Sequence, residues 1–194
     1  MASFNRIALL LLALAANAAS GDQVYVSPCD NLGATGVSIS DVYLDNLYLG
    51  EAMTMKFRLN TNRPLANPEL QFKIVAANHD VPCDPKTEAG SCTYSLCGPR
   101  YYEVESKICT GWGCVCPIQA GSYMDPNGIQ LTLPSFDGII GEIITKSDTS
   151  VTLRLVEDGT PVYCGTGSVR VQKRGRKRSL SELLGASKLP AHKM

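Results

Sequence analysis

Between residues 51 and 60 the apolar side chains Met53, Met55, Phe57 and Leu59 alternate with the polar Thr54, Lys56 and Arg58. A period of two places one set on each face of an extended chain, so the pattern predicts a half-buried strand. The same period returns in Leu70, Phe72, Ile74 and Ala76, in Ile129, Leu131 and Leu133, and in Val151, Leu153 and Leu155; Val169 and Val171 close the series. Residues 37–49 alternate in part and read as one or two further strands. Turn signals separate these runs: Asn62-Arg63-Pro64, Asp125-Pro126-Asn127-Gly128, Phe136-Asp137-Gly138 and Glu157-Asp158-Gly159. Short strands so punctuated predict an all-β chain folded as an immunoglobulin-like antiparallel β-sandwich. The stripes by themselves specify only the two apolar inner faces that any sandwich core needs.

The ends of the chain read differently. Residues 1–20 carry Arg6, then a run of about ten apolar residues, then small residues up to Ser20, the pattern of a signal peptide. That run is roughly half of what a bilayer-spanning helix needs. Cleavage after Ser20 is expected, with Ala18 as the alternative. The reading divides the chain into a signal peptide (1–20), one β-sandwich domain (21–172) and a C-terminal tail (173–194), and a body of this size buries roughly 70% of its unfolded surface.

The chain is formally neutral, but the neutrality conceals two opposed segments. Residues 21–172 hold ten Lys/Arg against seventeen Asp/Glu, a net of −7, and residues 173–194 hold seven against one, a net of +6. An acidic body argues against a nucleic-acid partner, since phosphate binding needs a basic face that releases counterions. In the tail, Lys173-Arg174-Gly175-Arg176-Lys177-Arg178 precedes Ser179 and Glu182, which have capping-box spacing. Three readings of this tail stand: a solvated, disordered basic tail, a dibasic processing site after Arg178 that releases residues 179–194, and attraction to anionic headgroups at roughly 1 kcal/mol per basic residue.

All eight cysteines, Cys29, Cys83, Cys92, Cys97, Cys109, Cys114, Cys116 and Cys164, lie in the body. An even count behind a secretory signal predicts four disulfides, for which sequence alone leaves about 105 connectivities. Cys114 and Cys116 on an extended strand would point the same way and so take separate partners. Cys109 can reach Cys114 across a tight turn at residues 110–113, and a Cys29–Cys164 bridge would tie the ends of the domain together. The spacing lacks paired Cys-x2-Cys, so no metal site is expected.

No motif for catalysis is present: there is no Gly-x-Ser-x-Gly elbow, no phosphate-cradling glycine loop and no His-Glu-x-x-His. Only one histidine, His79, belongs to the body, and it sits in the polar stretch Ala77-Asn78-His79-Asp80. The chain is therefore read as a non-enzyme with no cofactor.

From Val81 the sequence runs Val-Pro-Cys83, Gly-Ser-Cys92-Thr-Tyr-Ser-Leu-Cys97, Cys114-Val-Cys116-Pro-Ile-Gln-Ala-Gly-Ser-Tyr and Leu-Thr-Leu-Pro-Ser-Phe136, with a lone Cys164 to follow. This order resembles the ganglioside GM2 activator branch of the MD-2-related lipid-recognition (ML) family, over nearly all of residues 25–172. The resemblance implies a cup-shaped sandwich around an apolar cavity, with the pairs Cys29–Cys164, Cys83–Cys92, Cys97–Cys116 and Cys109–Cys114.

It also implies a lipid as partner, whether glycosphingolipid, phospholipid or sterol, taken from a transiently contacted membrane surface. A lysosomal β-hexosaminidase to which the lipid is presented is implied as a second partner. Within that picture the lining is expected from Met55, Phe57, Leu59, Phe72, Ile74, Leu131, Leu133, Leu153 and Leu155, and the membrane-facing rim from Trp112 and Phe136. Two departures from the activator pattern stand out: the polar Asn78-His79-Asp80 where the activator loop is apolar, and the lack of an Asn-x-Ser/Thr sequon in residues 21–194. The expected function is a secreted or lysosomal lipid-binding and transfer protein of the activator type. The alternatives are a sterol carrier, an extracellular lipid-recognition subunit, or a secreted precursor of a C-terminal peptide.

Overall fold

The computed structural model describes residues 22–29, 32–33, 35–98, 102–113, 115–136 and 138–174. The expected signal peptide and the tail beyond Arg174 lie outside the described residues. The strands are β1 (Asp22–Gln23), β2 (Ser27–Pro28), β3 (Val37–Asp45), β4 (Ala52–Thr61), β5 (Pro68–Ala76), β6 (His79–Asp80), β7 (Thr93–Ser95), β8 (Gly121–Met124), β9 (Ile129–Thr132), β10 (Thr149–Glu157) and β11 (Thr160–Val169). Two helices join them, α1 (Glu103–Trp112) and α2 (Gly138–Lys146).

The strands form two antiparallel sheets. One has the order β1-β3-β4-β8, with β9 also pairing β4; the other has the order β2-β11-β10-β5-β6, with β7 also pairing β5. The period of two explains which side chains meet between them. Met53, Met55, Phe57, Leu59 and Thr61 of β4 are all buried, and the residues between them are not. Leu70 on β5 and Leu153 and Leu155 on β10 face them from the second sheet.

Turn chemistry sets the registers. The β10–β11 hairpin closes through Asp158 and Gly159, both in the left-handed region at φ +48° and +78°. Two consecutive positive φ values match the twist of the flanking strands, which is why an Asp-Gly pair serves here. The β5–β6 hairpin turns the same way through Ala77 and Asn78, at φ +47° and +65°, and so part of the expected polar loop continues as a short strand. In β3 the register shifts between Ser40 and Tyr43, and Asp41 turns out at φ +50° to accept from Arg58 Nε at 2.7 Å.

The helices correct the sequence reading. Residues 110–113, expected as a tight turn, are the last turn of α1, which ends at Gly113 in the left-handed conformation with φ +60°. Val104, Ile108 and Trp112 fall at i, i+4 and i+8 and form the buried stripe. Two carboxylates start the helix. Glu88 accepts from the Glu103 and Val104 N–H groups, both at 2.9 Å, and the buried Glu105 accepts from Tyr102 N–H at 3.0 Å and Ser95 N–H at 2.6 Å. Anionic oxygens thus meet donors that the first helical turn leaves unpaired. The expected turn at residues 136–138 instead leads into α2, where Gly141 lies so close to the Phe136 carbonyl that a Cβ would come within 2.2 Å of its oxygen.

Three disulfides are present among the described residues: Cys29–Cys164, Cys83–Cys92 and Cys97–Cys116, with Cα separations of 5.4, 4.8 and 5.7 Å. Each is one of the pairs implied by the resemblance. For the fourth, Cys114 lies outside the described residues.

Candidate functional site

The two ends of the sandwich are packed very differently. At one end Leu59, Leu65, Leu70, Ile108, Ile118 and Leu155 are all 0% exposed, sealed by α1 and the segments around it. Toward the other end the inner faces stay apolar, but their residues are only partly covered: Phe72 and Ile74 on β5, Val151 on β10, Val169 on β11, Leu44 on β3 and Leu131 on β9. Interiors normally close to crystal-like density, so inward-facing carbon that has no facing partner marks open space.

That space is an apolar cavity of about 100 Å³, open at its mouth. One sheet contributes Leu44, Met53, Met55 and Leu131; the other contributes Phe72, Ile74, Thr149, Val151 and Val169. The segments beyond the strand ends supply the rim, including Leu47, Leu49, Val81, Leu133, Phe136, Ile144 and Val171. A second, smaller apolar void of about 40 Å³ adjoins it toward the β3–β11 side, bounded by Val24, Val26, Val42, Phe57, Leu153, Gly165 and Gly167. The two share Leu44, Met55, Phe72, Val151 and Val169, which form a waist between them. Outside the mouth, Ala76, His79, Asp80, Pro82 and Ile143 form a vestibule that shares Val81, Phe136 and Ile144 with the cavity.

Local structure explains why the mouth is where it is. Helix α2 follows Phe136 and returns the chain to Thr149 at the start of β10, so its buried Ile144 sits with Ala76 and Val171 in a small apolar cluster apart from the main core. Charged groups stand beside the vestibule, whose walls are otherwise largely apolar. His79 and Asp80 are exposed there, Asp80 lies 3.7 Å from Lys73 Nζ, and Lys146 Nζ donates to Glu142 on α2 at 3.0 Å. That hydrogen bond and the Lys146 charge hold the Glu142 carboxyl below its ordinary value.

Inside, two lining residues carry side-chain oxygens. Tyr94 Oη donates to the Glu88 carbonyl at 2.6 Å, and burial, followed by the Glu88 charge, pushes its phenol well above the ordinary tyrosine value. Thr149 Oγ1 has no hydrogen-bond partner among the described residues, although Thr149 is only 2% exposed. The other lining side chains carry only carbon or thioether sulfur. Such a wall shields hydrocarbon from water, at about 0.8 kcal/mol per methylene.

Of the expected lining residues, Met55, Phe72, Ile74, Leu131 and Leu133 line the cavity, and Phe57 and Leu153 line the adjoining void. Leu59 and Leu155 do not; both are 0% exposed in the packed end. Phe136 stands where the cavity meets the vestibule. Trp112 does not. It lies on the buried stripe of α1, 9% exposed, with its ring edge-on to Phe57 at 5.2 Å, which makes it part of the packed core. Residues not anticipated in the lining include Leu44, Leu47, Leu49, Met53, Val81, Ile144, Thr149, Val151, Val169 and Val171. Met53, Val151, Val169 and Val171 belonged to the alternating stripes and were findable from them; Thr149 extends the β10 stripe by one polar step.

Among the described residues no helix is long and apolar enough to cross a membrane, and no three His, Cys, Asp or Glu side chains gather to hold a metal ion.

No family model matches the chain. Nor does any curated protein match it significantly. Among solved structures it is similar to chicken MD-1 complexed with lipid IVa, at 14% identity and a TM-score of 0.40, over 76% of this chain and 88% of that one. It is also similar to a Niemann-Pick type C2 protein from the Japanese carpenter ant, at 7% identity and a TM-score of 0.38, over 79% of this chain and 96% of that one.

Proposed function

We propose that this protein binds a lipid by enclosing its hydrocarbon between the two sheets and carries it through water without altering it chemically. One observation supports the reading above the others: the sandwich is fully packed at the α1 end, yet its inner faces part at the α2 end around a continuous apolar cavity with an open mouth. A core built only for stability would close both ends. Exposing a sixteen-carbon chain to water costs on the order of 12 kcal/mol, so a carrier needs continuous apolar lining and no catalytic group.

The finer reading is an ML-family protein of the ganglioside-activator type, secreted or lysosomal, that lifts a glycosphingolipid from a membrane and presents it to a glycosidase such as a β-hexosaminidase. The Cys-x-Cys-Pro and Leu-Pro-Ser-Phe136 stretches support this reading, as do three disulfides of the kind that persist in oxidising compartments. The decisive experiment is native mass spectrometry and lipid extraction on the purified protein, combined with transfer of fluorescent lipid between vesicles. Co-purified lipid and protein-dependent transfer are expected. An empty protein that transfers nothing would refute the carrier reading, and transfer without stimulation of a glycosidase would remove the activator role alone.

A further inference from the structure

Thr149 is the one polar side chain of the cavity wall whose oxygen has no partner among the described residues, and it is 2% exposed. A buried hydroxyl normally finds an acceptor, and leaving it without one is unfavourable, so such a group in a cavity wall points to something that arrives. Its neighbours do not supply the acceptor. Thr149 pairs with Ala76 on one side and Val169 on the other, and the side chains around it, Ile144 and Val151 among them, are hydrocarbon.

The position gives the depth. Thr149 is the first residue of β10 after α2, level with Ala76, which faces the vestibule. Farther along the same strand face come Val151 at the waist and Leu153 in the second void. A guest that enters past Phe136 and Ile144 therefore reaches Thr149 first and runs on into purely apolar space. Two small voids joined at a waist suit a thin chain that can bend, not a rigid plate.

We propose that Thr149 is a polar anchor just inside the mouth, and that it donates its hydroxyl proton to the carbonyl that joins an acyl chain to its headgroup. The ligand class is thus an acyl lipid, ester- or amide-linked. Methylenes offer no acceptor; the linkage carbonyl is the first one available at the boundary between chain and headgroup. The inference rests on the carrier reading and adds a selectivity that the apolar lining alone would not give.

The test uses displacement of a bound fluorescent fatty acid by three competitors: dipalmitoyl phosphatidylcholine, its dihexadecyl ether analogue, which lacks the carbonyls, and a palmitoyl ceramide as the amide arm. The wild-type protein should prefer the ester and the amide over the ether by about fivefold, the usual net effect of one hydrogen bond. Thr149→Val should abolish that preference while leaving the ether affinity unchanged, and Thr149→Ser should keep it. Preference for the ester alone, or for the amide alone, tells which linkage is the natural one. Equal affinity for carbonyl and ether lipids in the wild type, or a preference that survives Thr149→Val, would overturn the assignment. If neither the reporter nor any competitor binds the wild type, the carrier reading itself fails. Thermal melting of the lipid-free proteins gives a readout that needs no ligand: Thr149→Val should melt at or above the wild type, and a drop of several degrees would show the hydroxyl already partnered and sink the proposal.

Discussion

Val151 and Leu155 lie on the same face of β10, four residues apart, yet they should respond oppositely to the same enlargement. Leu155 is 0% exposed in the packed end, whereas Val151 is partly exposed at the waist between the two voids. Leu155→Phe has no room to occupy and should cost about 1–3 kcal/mol through displaced neighbours. For a chain of this size that is a fall in Tm of about 2–4 °C per kcal/mol.

Val151→Phe places its ring in open apolar space, so burial of the added carbon offsets the strain and the net change should stay within about 1 kcal/mol. The same ring obstructs the waist. If four methylenes of a guest are turned back there, the loss is about 3 kcal/mol, on the order of 200-fold in Kd. The assay is denaturant unfolding of both variants, followed by titration with fatty acids of increasing length. Wild-type affinity should rise roughly fourfold per methylene through the long chains, while Val151→Phe should level off early. If Val151→Phe destabilises the lipid-free protein as much as Leu155→Phe does, the space between the sheets is not open and the argument from packing fails.

Other expectations follow from the same geometry. The Cys29–Cys164 bridge spans 135 residues and Cys83–Cys92 spans 9; in the chain-entropy model their removal should cost about 5 and about 2.6 kcal/mol, and denaturant unfolding of the paired Cys→Ala variants should show the longer loop losing more. Glu105→Ala strands the Tyr102 and Ser95 N–H groups in a buried setting and should destabilise by about 2–4 kcal/mol, measured the same way. Ile143, on α2 at the vestibule, should govern membrane contact: Ile143→Glu should weaken co-sedimentation with vesicles at least severalfold, with Tm unchanged within about 2 °C. Because burial raises the Tyr94 phenol above its unfolded value, the folded state holds that proton more tightly. Its contribution to stability is complete below about pH 10 and falls away as pH rises further, so Tyr94→Phe should flatten the alkaline limb of a stability–pH curve.

The strands were legible because one physical signal, alternation against a core face, governs them, and Asp158-Gly159 announced its turn by composition. The helices were not. In α1 the stripe Val104, Ile108 and Trp112 was present, but the glycine at 111 and the flanking cysteines resemble turn chemistry. The glycine serves packing there: a Cβ on Gly111 would come within 2.2 Å of the Asp125 carboxylate. In α2 two glycines and a β-branched run have weak helix propensity, and tertiary context prevails over it. The cavity was legible by half. Alternation identifies which residues face inward and says nothing about whether the opposite sheet reaches them. Leu59 and Leu155 were therefore indistinguishable in sequence from Met55 and Leu131, and Trp112 could be seen as aromatic but not as covered.

The unequal ends of the sandwich also divide labour in time. Amide protection should be highest around Leu59, Leu70 and Leu155 and should decline along the same strands toward Ile74, Val151 and Val169. The strands that flank the mouth can then open locally while their far halves stay locked, so the mouth can widen without global unfolding. Over evolutionary time the same gradient leaves the rim freer to vary, because Phe136, Ile144 and Val171 pack in a small cluster apart from the main core.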